Sequence, residues 1–238
     1  MVMKLFLTSK DQKTVLAVES NSNKSTKPEN TPTPRPRDSN GRLILDRVAA
    51  LDALKHFKIE PDTKEFSNLD CFNDTPGHYL HSANIPFIRA AAELGVLGVW
   101  KSPPAAPQSD IGFIYCNKPL TEMVKPGPNT KPHNDIDFYV TLPEEGKKYL
   151  VSENGTLITF AMSTREPIEV LSIGEPSPEM GKVISLVKFK LMNTPTPFGK
   201  AYDTATKQNY YEGWSTGIAQ FTLYDDGWHC EDWRPDSE

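Results

Sequence analysis

The sequence predicts an α+β fold, with a helical first half, an antiparallel β-sheet second half and a disordered N-terminal tail. Three observations carry this reading. Apolar residues recur at helical spacing between Ile44 and Leu94, the spacing turns to strict alternation after residue 150, and Ser20–Gly41 contains no large apolar residue. Helices followed by strands joined through turns point to an antiparallel sheet. The expected boundaries are a flexible tail or linker at 1–41, a helical lobe at 42–150 and a sheet lobe at 151–238.

Each element has a local reason. In the tail, Pro28, Pro32, Pro34 and Pro36 favour extended backbone and remove hydrogen-bond donors, and nothing there has apolar surface to bury. Ile44, Val48, Leu51 and Leu54 would form the apolar face of a helix ending near Phe57, with Pro61 closing it. Asn84 and Pro86 open a second helix through Phe87, Ala90, Ala91 and Leu94, and Gly95 stops it. Val96 to Trp100 follows as a buried connection. The proline-rich excursion 101–132 holds one short strand, Ile111–Cys116. Asp137–Leu142 reads as a strand leading into a capping box, Thr141-x-x-Glu144, and a helix to Leu150. Residues 156–162, 168–173, 182–192 and 216–224 read as strands. In the third, Val183, Val187, Phe189 and Leu191 share a face. Asp226-Gly227 is the strongest hairpin signal in the chain.

Composition excludes several function classes. The chain has 238 residues, formal charge -5 and mean hydropathy -0.49, with an isoelectric point near 5.6. That balance gives no general electrostatic case for nucleic acid. The candidate reading helix, Ile85–Leu94, offers only Arg89 and carries Glu93, too few phosphate contacts for DNA. No run reaches the roughly 18 apolar residues of a spanning helix. The first residues lack the apolar core of about 7–15 residues that a secretory signal needs, so the cytoplasm is the default expectation. Cys71, Cys116 and Cys230 form no CxxC, so zinc-finger spacing fails and no cofactor is expected. A cytoplasmic chain would keep them as small hydrophobes, and an exported one would bridge Cys71 to Cys116.

Motifs for chemistry are scarce: GxSxG, GxxxxGK[ST], HExxH and GxGxxG are all absent. His133, Asp135 and Asp137 would share one face of a strand, an arrangement suited to a metal or an acid/base pair, although Pro132 and the strand start also explain them as turn residues. His78 and His81 with Cys71 are a weaker zinc candidate. Residues 222–238 carry six carboxylates against Arg234, which fits hairpin chemistry and a solvated acidic end. The loop expected at 193–215 stands out. It places Tyr202, Tyr210, Tyr211 and Trp214 among polar residues, with Pro195, Pro197 and Gly199 shaping its start. Aromatics with polar tips are enriched at recognition surfaces, and they also serve as lids over a sheet.

Tyr139-Val-Thr-Leu-Pro-Glu-Glu-Gly-Lys-Lys-Tyr149, Glu166–Ile173, Val183–Leu191 and Tyr224-Asp-Asp-Gly-Trp228 together resemble uncharacterised envelope proteins of proteobacteria, many of them lipoproteins. The likeness covers roughly residues 43–233. It implies an exported protein with a winged-helix-like helical lobe before a sheet lobe, and it implies no activity. The expected function is a non-catalytic binding protein, envelope-associated if the resemblance holds, that takes a protein or small-molecule partner at Tyr202, Tyr210, Tyr211 and Trp214. Metal-dependent hydrolysis through His133, Asp135 and Asp137 is one alternative. An immunity or inhibitor protein that occludes a basic partner is another.

Overall fold

The computed structural model describes residues 37, 41, 43–79, 82–102, 118–125 and 136–236, all within one compact unit, Arg37–Glu238. The tail expected at 1–41 lies outside them except for Arg37 and Gly41, as does the strand expected at Ile111–Cys116. Arg37 already belongs to the fold, forming an isolated antiparallel bridge with Leu43.

The fold is mixed, a mostly antiparallel sheet with four described α-helices. In the first half, α1 (Arg47–His56) and α2 (Ile85–Glu93) alternate with β1 (Asp62–Ser67), β2 (Cys71–Phe72), β3 (Gly98–Lys101) and β4 (Phe138–Thr141). The described residues therefore show no purely helical first half. Strands of two to six residues are too short for a period of two to stand out in sequence. A single helical turn, α3 (Glu144–Lys147), follows β4. The capping box does not form, because Thr141 stays in β4 and its hydroxyl accepts the Trp100 indole N–H at 3.1 Å.

The larger sheet continues with β5 (Leu150–Asn154), β6 (Leu157–Ile173), β7 (Ser177–Glu179), β8 (Lys182–Pro195), β9 (Gly213–Tyr224) and β10 (Gly227–Pro235). Its order is β1-β6-β8-β9-β10, with β5 on β6 and β7 on β8, and β2-β4-β3 form a separate sheet. Two strands expected at 156–162 and 168–173 are one strand of 17 residues. Pro167 does not break it, because the register shifts between Pro167 and Glu169 and a bulge absorbs the missing donor. The Asp226-Gly227 hairpin forms as expected, with Gly227 opposite Tyr224.

Two cores lie on opposite faces of the larger sheet. Ile158, Phe160 and Met162 of β6 point into the first, with Phe66, Phe72, Phe87, Ile88 and Phe198. Register is unbroken from Ser163↔Pro195 to Pro167↔Leu191, so alternation turns Leu191 to the side away from Met162. Leu191 belongs to the second core, with Leu45, Leu54, Val187, Phe189 and Phe221. Helix α1 covers that side. Asp46 caps it by accepting the Ala49 N–H at 2.8 Å, and Arg47 donates to the Leu171 carbonyl of β6 at 3.0 Å. Its buried residues are Ala50 and Leu54, whereas Val48 and Ile44 are exposed. The expected apolar face is thus rotated, because alanine permits close approach to the sheet without raising the apolar signal. Trp228 packs beside α1 and donates its indole N–H to the Leu43 carbonyl at 2.9 Å.

Candidate functional site

The segment 193–215, read from sequence as a loop, contains a helix, α4 (Pro197–Thr206). Its cap is Thr196, whose hydroxyl accepts the Gly199 N–H at 3.2 Å and donates to the Ala161 carbonyl at 2.7 Å. Pro197 fits the first turn, where its missing donor costs nothing. At Gly199 a Cβ would lie 2.0 Å from the Met162 carbonyl oxygen, so only glycine lets the helix start sit this close to β6. The sequence signal was present: Phe198, Ala201, Tyr202 and Ala205 follow a strict helical stripe.

Helix α4 splits the four aromatic candidates into two roles. Tyr202 meets Phe66 and Phe87 edge-on at 6.2 and 6.4 Å, and Lys64 places its ammonium 4.7 Å from the tyrosine ring. Tyr211 is half-buried against the first core, 5.8 Å from Tyr202. Burial first, then the neighbouring Tyr202 and Asp62, push its phenol up to about 12. Both rings pack against the first core. Tyr210 has its backbone N–H held by the Asp203 carboxylate at 2.9 Å, while its ring stays 58% exposed. Trp214 opens β9 opposite Met192, is 65% exposed, and carries the Lys190 ammonium 4.5 Å from its ring. Tyr202, Tyr210 and Tyr211 form one cluster, and no ring contact joins Trp214 to them among the described residues.

Between α2 and α4 runs a groove of about 560 Å³, lined among others by Glu93, Leu94, Lys200, Asp203, Lys207 and Glu212. Gln208 and Asn209, just before Tyr210, also line it. Carboxylates, ammonium groups and amides over an apolar Leu94 edge can recognise a polar ligand by hydrogen bonds and charge, with Tyr210, next to the lining Asn209, able to add contact area. The sequence reading missed this groove because its two walls, 90–94 and 195–212, lie about a hundred residues apart in the chain, and it did not single out Lys64 or Lys190.

The other candidates are not gathered into a site. His133 and Asp135 lie outside the described residues, and Asp137 accepts the Asp74 N–H at 3.0 Å as a turn brace. Cys71 is disulfide-bonded, so it supplies no thiolate for a zinc site. His81 and Cys116 lie outside the described residues, and the His78 ring sits 4.6 Å from that of Tyr79. Among the described residues no group of His, Cys, Asp and Glu has the geometry to hold a metal ion. Two carboxylates of the acidic end are paired with cations or imidazole, Asp226 with His229 at 2.9 Å and Asp236 with Lys188 at 2.7 Å, and Asp232 accepts the Trp233 N–H at 2.8 Å through one oxygen. Among the described residues Cys230 is the free cysteine; burial, followed by Asp232 and Glu231, pushes its thiol up to about 12, which leaves little thiolate near neutrality. No described helix is long and apolar enough to cross a membrane. Compared with protein-family models, curated proteins and solved structures, the chain matches no family model, no curated protein and no solved structure.

Proposed function

We propose that this protein is a non-catalytic recognition protein that binds a protein or small-molecule partner beside the α2–α4 groove, with Tyr210 and Trp214 as anchors. The observation that carries the reading is the division of labour among the four aromatics. Tyr202 and Tyr211 hold the fold, whereas Tyr210 and Trp214 stand exposed on the same short segment. Folding gains little from two large exposed rings, while binding gains contact area at low side-chain entropy cost. The disulfide at Cys71 supports an oxidising location, in keeping with envelope association in bacteria.

The test is capture of partners on the immobilised full chain from extracts of the cells that make it. The Tyr210→Ser/Trp214→Ala double variant should keep its melting temperature and lose the captured species. If that variant stays folded and captures the same species as the parent, the anchors lie elsewhere and the reading fails.

A further inference from the structure

The larger sheet is covered unevenly. On the face that carries the first core, α2 and α4 pack over β1 and the beginning of β6. Further along the same face, no described helix lies over β8, β9 and β10. Glu166, Met192 and Trp214 are cross-strand neighbours there, followed by Glu169 with Lys190, Lys188 with Ile218, and Leu186 with Gln220. Leu186 is 52% exposed and Met192 40% exposed.

Near the far end of this face is a groove of about 440 Å³. Its floor includes Ile184, Leu186 and Ile218. One wall is the β7 arm, which the chain holds in place through Gly174, whose N–H donates to the Leu186 carbonyl at 2.7 Å and whose carbonyl accepts the Ser185 hydroxyl at 2.8 Å. That wall brings Glu175 and Glu179, and β10 brings Asp232 and Arg234. Along the whole uncovered face, Glu166, Glu169, Glu175, Glu179 and Asp232 stand against Lys182, Lys190 and Arg234, Lys182 being the cross-strand neighbour of Glu179 and the Lys188 charge being held by Asp236.

We propose that this groove binds a basic amphipathic segment of a partner protein, with aliphatic side chains on the Ile184–Leu186–Ile218 floor and lysines or arginines facing Glu175, Glu179 and Asp232. Charge complementarity selects this occupant. An acidic partner would meet like charge across the groove, a repulsion that costs several kcal/mol at interfaces, and a wholly apolar one would strip water from the carboxylates without compensation. This groove shares no lining residue with the α2–α4 groove, and the proposal does not depend on that reading, although Trp214 stands on the same sheet face.

The probe is an alternating lysine–leucine heptapeptide, with the glutamate–leucine peptide as counterpart, titrated into the full chain and followed by calorimetry and tryptophan fluorescence. The lysine peptide should saturate, with affinity falling as salt rises, and the glutamate peptide should not bind. Glu179→Lys/Asp232→Lys should weaken the lysine peptide at least about tenfold. Glu144→Lys/Glu145→Lys, the same change of net charge on the exposed α3 turn, should leave its affinity within about twofold. Leu186→Ser should weaken it without altering the salt slope. Equal loss in both charge-reversed variants, or no saturable binding, would overturn the proposal.

Discussion

The two cores that share the larger sheet are built by different logics. The second is a meander: β8, β9 and β10 follow one another, alternate inward and outward, and receive α1 as a cover. The first is an assembly of distant pieces. Phe66 stacks on Phe87 at 4.2 Å, Phe160 stacks on Phe198 at 3.9 Å, and these pairs bring together β1, α2, β6 and α4. The exposed aromatics that we assign to binding follow α4, which packs on this first core: Tyr210 lies in the link after the helix and Trp214 near the start of β9. In the proposed reading, binding would sit beside the core where the chain converges from several directions, with the meander as its frame.

The sharpest way to break this comparison is to remove one ring from each core. Phe198→Ala should cost about 3–5 kcal/mol in urea denaturation, the range for a large buried aromatic. It takes away the stack with Phe160 and the seat of α4 together. Trp228→Ala in the second core should cost less, about 2 kcal/mol, since its ring is only half-buried and its indole bond contributes about 1 kcal/mol of that. A reversed order would make the α1 side the dominant core.

A smaller effect tests how well the first core is satisfied. Tyr139 is fully buried, yet among the described residues its hydroxyl has no hydrogen-bond partner. Tyr139→Phe should leave stability unchanged or raise it by about 1 kcal/mol, because an unsatisfied buried hydroxyl is a cost that phenylalanine avoids. A loss of more than about 1 kcal/mol would mean that the hydroxyl is bonded in solution.

The smallest effect is a pH dependence. The Tyr211 phenol is raised from the ordinary value near 10 up to about 12 in the folded chain. Its neutral form is therefore favoured by folding. That contribution is complete below about pH 10 and is lost as pH rises towards 12. Phenolate absorbance in an alkaline titration should include a late step that Tyr211→Phe removes.

The legible parts of the fold were those whose signals are local. Asn84, Pro86 and Gly95 bracket α2 within a residue of its observed ends, and Gly95 adopts the positive φ of 74° that a helix stop requires. Val187, Phe189 and Leu191 alternate inward as read. The site was legible in part. Tyr210 and Trp214 stand exposed, but the packing role of Tyr202 depends on Phe66 and Phe87, more than a hundred residues earlier in the chain. Helix α4 was misread for a different reason. Pro195, Pro197 and Gly199 suggest a loop when taken singly, while Thr196-Pro197 before an apolar stripe is a helix start.

Strand β6 also sets the order in which this protein can be finished on the ribosome. Asp62 of β1 pairs with Ser163, and the Ser163 hydroxyl donates to the Asp62 carboxylate at 3.0 Å across 101 residues of sequence. Everything from α1 to α3 emerges before the strand that β1 must join, and both cores need residues of that same strand. The N-terminal half therefore waits, with Phe66 and Phe87 unburied by β6, until translation has passed residue 163. At about 5–20 residues per second, closing that gap of roughly one hundred residues takes on the order of 5–20 seconds. During that interval β1 is an unpaired edge open to other chains.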